Sequence, residues 1–326
     1  MTAEALSPGE FFLQVHITSR CNLACGHCYV EESGVDMPPD LLELVLEQFQ
    51  ELVRDLIVPT TWVQLTGGEP LVHPEIERML MISSASCATR LLTNGILIDT
   101  QTAEMLQRHC ASVQVSFDGS SDVHDSWRGA GSYDDALRGL VRLRDAGVPT
   151  IVRTTVAADN QATVFGLLDE LSPHIDGFAV SRVVPIGGCS IAQPDTDAYR
   201  RIVYGLYGRH FSDIRIRLMD PFFGPLMRAD GMHGFCGCSA GICGMCVTET
   251  GDVYPCRRLP IRLGNVQSDS LVDLYRDHPL MRSLRERAVS GKCGECADRM
   301  VCGGSRCIAL ALTGDPLGPD EGCIFA

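Results

Sequence analysis

Lysine is all but missing from this chain: Lys292 is the only one in 326 residues, so nearly all positive charge is arginine. Positive charge is itself scarce, with 27 basic against 41 acidic side chains and a formal net charge of -14. Such a surface disfavours the phosphate neutralisation on which nucleic-acid binding depends, and it suits a cationic substrate better. No run of about 18 apolar residues could span a bilayer. The opening "MTAEALSPGE" lacks the basic stretch and apolar core of a secretory signal. Internal repeats and low-complexity linkers are absent too. The expected setting is a reducing cytoplasm, and the length leaves room for one large domain and a smaller one.

Cysteine, by contrast, is abundant. There are sixteen, many in clusters with CxxC-like spacings, in a chain too long to be a small disulfide scaffold, which favours metal over disulfides. Cys21, Cys25 and Cys28 fall within eight residues, "CNLACGHC". Three thiolates on one short loop can hold a four-iron cube but leave one iron open to a ligand that is not protein. A structural zinc site would need a fourth ligand to close it.

From residue 11 to about 190, apolar and β-branched runs alternate with helical patterns. Strands are expected at 11–18, 61–66, 89–94, 112–117, 150–156 and 177–184, with helices at 39–56, 100–109, 133–146 and 161–171. Six strand–helix units in succession imply parallel strands with right-handed crossovers, hence an α/β fold of open or partial barrel type. Active residues in such folds follow strand C-termini. Cys21 follows the first strand, Gly67 the second, Asn94 the third and Asp118 the fourth.

CxxxCxxC after a first strand, with Gly67, Gly68, Glu69 and Pro70 after the second, resembles the radical S-adenosylmethionine (SAM) superfamily. The resemblance implies a partial (β/α)6 TIM-like barrel over 1–190. It also implies a [4Fe–4S] cluster on Cys21, Cys25 and Cys28 whose fourth iron is chelated by the amine and carboxylate of SAM. Gly67 and Gly68 would let backbone approach the ligand, and Glu69 would offer its carboxylate to the ammonium group. His27 stands where relatives carry an aromatic residue near adenine. Ser116 matches a serine that contacts the SAM carboxylate, and Arg128 is a second candidate for that end.

The C-terminal cysteines resemble a SPASM extension. Gly251 to Cys256 gives GxxxxC, Cys293 to Cys296 gives CxxC, five residues lead to Cys302, and Cys307 follows after four residues where three are usual. Cys323 closes the set. The resemblance implies a helical bridge over 191–235 and a small cysteine-rich SPASM domain over 236–326 with two auxiliary [4Fe–4S] clusters. One would take Cys256, Cys307 and two of Cys236, Cys238, Cys243 and Cys246, with Cys238 and Cys243 preferred. The other would take Cys293, Cys296, Cys302 and Cys323.

The activity implied is reductive cleavage of SAM to a 5′-deoxyadenosyl radical that abstracts hydrogen from an unactivated C–H bond. Two auxiliary clusters favour net oxidation by desaturation, crosslinking or dehydrogenation. The substrate would be a ribosomal peptide or a small natural-product intermediate, and a flavodoxin or ferredoxin the electron donor. An epimerase would instead need a thiol hydrogen donor, for which Cys189 in "PIGGCS" is the candidate. Asp118 and His124 are candidates for positioning substrate or moving a proton. Relatives that mature sulfatases carry an aspartate base where this chain has Arg257, which demotes formylglycine formation. An iron–sulfur electron carrier would also explain the cysteines, but not Gly67, Gly68 and Glu69.

Overall fold

The computed structural model describes residues 10–209, 215–217, 220–231 and 237–325. The six expected strands form, as β1 (Glu10–Thr18), β2 (Thr60–Gly67), β3 (Ala88–Thr93), β4 (Ser112–Ser116), β5 (Thr150–Val156) and β6 (Gly177–Arg182). They pair in sequence order and in parallel. Burial on both faces explains why β1 reads as a nearly unbroken apolar run.

The crossovers are helices α1 (Pro39–Leu56), α2 (Ile76–Ser86), α3 (Thr100–His109), α4 (Ser121–Arg128), α5 (Ser132–Asp145) and α6 (Val164–Leu171). In α1, a proline at the first helical position fits the open N-terminal turn. Leu42, Val45, Leu46, Phe49 and Leu52 then bury one stripe against the sheet. This is an α/β fold with a partial barrel, followed by a small cysteine-rich segment.

The sheet extends beyond the six strands at both edges. The stretch expected as a helical bridge holds α7 (Thr196–Arg209) and α8 (Phe223–Ala229), and also a strand, β7 (Arg215–Arg217), parallel to β6. At the other edge β8 (Gly244–Val247) lies parallel to β1, followed by antiparallel β9 (Asp252–Tyr254) and β10 (Gly264–Asn265). Phe12 dictates glycine on β8: a Cβ at Gly244 would lie 2.6 Å from its ring. Helices α9 (Leu271–Asp277), α10 (Pro279–Arg285), α11 (Gly291–Glu295) and α12 (Arg306–Thr313) complete the chain.

Candidate functional site

The loop after β1 carries the three clustered cysteines, and the turn after β2 is pressed against it. The amide of Gly68 donates to the Thr18 carbonyl at 2.9 Å, and that of Glu69 to the Arg20 carbonyl at 2.9 Å. A Cβ at Gly67, where φ is +142°, would lie 2.0 Å from the Thr18 oxygen, and one at Gly68 2.3 Å from the Arg20 oxygen. The two glycines are therefore required by the approach of one loop to the other. Asn94, after β3, closes the arrangement by donating from Nδ2 to Asn22 Oδ1 at 2.8 Å.

Glu69 is buried with both oxygens engaged. Oε1 accepts from Thr93 Oγ1 at 2.7 Å and Leu71 N at 3.1 Å, and Oε2 from Asn94 N at 2.7 Å. Burial pushes its carboxyl up to about 7, although these hydrogen bonds pull the other way. A carboxylate so fixed is poised for a cation, whose arrival would favour ionisation.

Arg128, the last residue of α4, is held from behind. Its Nε and Nη2 both lie 2.7 Å from Asp118 Oδ2, and Asp118 Oδ1 accepts from Thr155 N at 2.8 Å. Asp118 is fully buried and outside the cavity lining. Its carboxylate is turned to Arg128 and not to the cavity. His124 likewise turns inward: its Nδ1 accepts the Asp118 amide at 3.2 Å, and burial pushes the imidazole down to about 4. His27 packs its ring 5.3 Å from that of Trp127, with Nε2 3.5 Å from Arg128 Nη2. Burial holds it below the usual histidine range.

These groups surround one cavity of about 150 Å³. Its lining includes Cys25, Cys28, His27, Gly67, Gly68, Glu69, Ser116 and Arg128, so the expected SAM-contacting residues are brought together. Cys21 is on the same loop but outside the lining. Cys189 is elsewhere, packed with Ile191 and Val123 against Trp127, Ala157 and Val183. Sequence reasoning missed Arg153 on β5 and Arg258, both of which line the cavity together with Arg257.

The C-terminal cysteines gather in two places. Cys256 and Cys307 approach to 3.9 Å between sulfurs, and the Cys238 amide donates to the Cys302 carbonyl at 3.1 Å. The hydrogen bond from Cys307, followed by the nearby Arg258 guanidinium, holds Cys256 below the usual thiol range. Cys243 and Cys246 are buried, and Cys236 lies outside the described residues. Cys293, Cys296, Cys302 and Cys323 all line a second cavity, of about 290 Å³. Backbone amides of Asp320, Asp298 and Gly304 point at the sulfurs of Cys293, Cys296 and Cys302 at 3.3, 3.4 and 3.4 Å.

Amide-to-sulfur bonds of this kind stabilise metal-bound thiolates, so this donor set fits an iron–sulfur cluster. Among the described residues no three Cys, His, Asp or Glu side chains converge on a single-ion site. A four-iron cube asks for something else, one thiolate on each iron. No helix among the described residues is long and apolar enough to cross a membrane.

Residues 15–164 match the family described as the radical SAM superfamily, and residues 238–297 match SPASM, an iron–sulfur cluster-binding domain. The AdoMet-dependent heme synthase of Methanosarcina barkeri is 30% identical over 338 residues, covering 95% of each chain. The mycofactocin maturase MftC of Mycobacterium ulcerans is 31% identical over 329 residues, covering 94% of this chain and 86% of its own. The fold resembles that of Streptococcus suis SuiB bound to S-adenosylmethionine, with a TM-score of 0.75 and 20% identity over 97% of this chain and 77% of that one. It also resembles native anSMEcpe with bound AdoMet, with a TM-score of 0.73 and 20% identity over 94% and 92%. The chain thus belongs to the radical SAM superfamily and carries a C-terminal SPASM domain.

Proposed function

We propose that this chain is a SAM-dependent enzyme that oxidises an unactivated C–H bond, with one [4Fe–4S] cluster at the SAM site and two auxiliary ones. The observation that carries the reading is the placing of Cys293, Cys296, Cys302 and Cys323 around one cavity while Cys25, Cys28, Glu69, Ser116 and Arg128 line another. Bound there, these groups supply a hydrogen-abstracting radical and an electron sink, which together give net oxidation.

The protein's own part is orientation. Glu69 receives the ammonium end of SAM, Ser116 and Arg128 its carboxylate, and Asp118 keeps Arg128 in place. His27, backed by Trp127, packs beside the adenine. Cys238, Cys243, Cys256 and Cys307 hold the first auxiliary cluster. Oxidation is favoured over epimerisation because the Cys189 thiol is outside the cavity lining. The oxidised substrate is a ribosomal peptide or a small natural-product intermediate. The first alternative draws on the maturase relatives, and the second on the heme synthases of like identity. The setting is cytoplasmic, with flavodoxin or ferredoxin as donor.

Anaerobic reconstitution followed by iron counting and a 5′-deoxyadenosine assay tests the reading. About twelve irons per chain and reductant-dependent 5′-deoxyadenosine support it. Iron without SAM cleavage would leave an electron carrier. A modified product whose mass is unchanged in H2O and rises by about one unit in D2O would place epimerisation ahead of oxidation.

A further inference from the structure

The cavity is strongly cationic inside a chain of net charge -14. Four arginines line it, Arg128, Arg153, Arg257 and Arg258, against one carboxylate, Glu69, which the proposed reading gives to the ammonium end of SAM. Arg128 is balanced by Asp118. The other three lie together, since they also line a smaller void beside Cys256. Arg153 donates to Ser181 Oγ at 3.1 Å, and Arg258 donates to the Arg182 carbonyl at 3.3 Å. Arg257 is 5.8 Å from the Tyr29 ring centroid and has no hydrogen-bond acceptor among the described residues. Burial, and then the two neighbouring guanidinium groups, depress Arg153 well below the usual arginine range, in keeping with the crowding of the three side chains.

Taking the proposed oxidase reading as its base, we propose that Arg153, Arg257 and Arg258 form a carboxylate-binding subsite, so that the substrate is an acid anchored by its carboxylate within the SAM cavity. Planar guanidinium groups pair with carboxylates through two parallel hydrogen bonds, and a low-dielectric cavity strengthens the pairing. Such an anchor fixes the substrate's orientation as well as its affinity, and C–H selectivity depends on orientation. The overall acidity, which by itself suggests a cationic substrate, is thus a poor guide to this cavity. Arg258 also stands beside Cys256 and Cys307, so Arg257 and Arg153 are the better positions to probe.

The reconstituted protein, saturated with SAM so that SAM's own carboxylate site is filled, is titrated anaerobically at constant ionic strength by calorimetry. The probes are succinate, its neutral analogue succinamide, inorganic phosphate, and tetra-alanine with a free or an amidated C-terminus. Saturable binding of succinate or of free-acid tetra-alanine, at least tenfold tighter than their neutral partners, supports the subsite. Tetra-alanine points to a peptide terminus, and succinate alone to a small acid. Arg257→Gln and Arg153→Gln should each weaken that binding about tenfold or more, and Arg257→Lys less. Exposed Arg138, paired with Asp135, serves as control, and Arg138→Gln should change nothing.

Equal binding of acid and neutral probes by the parental protein overturns the proposal without recourse to any variant. So does binding of phosphate alone, or carboxylate binding that survives Arg257→Gln unchanged in a folded, iron-loaded protein. SAM cleavage is scored separately. Cleavage without carboxylate binding refutes the subsite alone, and carboxylate binding without cleavage refutes the oxidase reading alone.

Discussion

Replacing Asp118 by asparagine separates the two roles that this residue could have. Its carboxylate is fully buried, bonded to Arg128 through two nitrogens at 2.7 Å and to the Thr155 amide at 2.8 Å. The Arg128 side chain is only 9% exposed. Removing one member of a buried pair leaves an uncompensated charge and costs about 3–5 kcal/mol. At about 2 °C per kcal/mol for a chain of this size, thermal unfolding should shift down by about 6–10 °C. The Arg128 pairing also depresses the Asp118 carboxyl against the opposing effect of burial. The stability it contributes is present above the unfolded value of about 3.9 and is lost as pH falls through the lower folded value. Parent and variant should therefore converge in acid. A double variant, Asp118→Leu with Arg128→Met, should recover most of the stability while losing SAM affinity, since an apolar pair of similar volume leaves no stranded charge. The assay is calorimetric or optical unfolding of the reconstituted protein beside 5′-deoxyadenosine formation. An Asp118→Asn protein of parental stability with activity abolished would refute the positioning role and restore a catalytic one.

Glu69→Gln should be more stable than the parent above pH 7. With the folded carboxyl raised to about 7, the native state holds a proton that the unfolded state releases between roughly 4.5 and 7, so stability declines with rising pH across that window by about 3 kcal/mol. The variant should lack this slope in pH-dependent unfolding, and should bind SAM at least tenfold more weakly. Gly68→Ala places a Cβ 2.3 Å from the Arg20 carbonyl oxygen. It should cost about 1–3 kcal/mol in denaturant unfolding, with weakened SAM binding as the cysteine loop is displaced. Cys323→Ala should lower the iron count from about twelve to about eight per chain while sparing the SAM-site cluster signal in electron paramagnetic resonance; retention of all the iron would sink the proposed ligand set.

The six parallel strands were legible because each is buried on both faces and so reads as a compact apolar run. Strands β7 to β10 were not, since elements of two to four residues carry no periodicity and are defined by their partners; Gly244 is a strand residue because Phe12 fills the space above it. The motif residues at strand ends were legible for their chemistry but not for their direction. Asp118 and Arg128 share one loop–helix segment, yet only packing decides that the arginine enters the cavity and the aspartate stays behind it. Gly67 and Gly68 were expected to make room for a ligand, and in the structure they make room for the Thr18 and Arg20 carbonyls. The arginine cluster escaped notice because β5 and the loop after β9 bring its members together across about a hundred residues of sequence, a relation that no local pattern encodes.

That long-range closure also bears on how the iron–sulfur sites are spaced. Strand β1, which delivers Cys21, Cys25 and Cys28, is flanked by β2, which delivers Gly67, and by β8, which leads to Cys256. Register is anchored beyond the sheet as well. Gln48 on α1 donates to the Val266 carbonyl at 2.8 Å and accepts from the Leu271 amide at 3.0 Å. At the far edge Arg182, ending β6, grips both oxygens of Asp320 at 3.1 and 2.7 Å, beside the amide that reaches Cys293. Slipping β8 by one residue on β1 would reverse the face of every β8 side chain, Cys246 included, and carry the chain leading to Cys256 along with it. The separation between the SAM-site loop and the C-terminal cysteines is thus set by strand register and buried ion pairs. That rigidity suits the proposed oxidation, in which an electron would cross from substrate to protein without the geometry drifting.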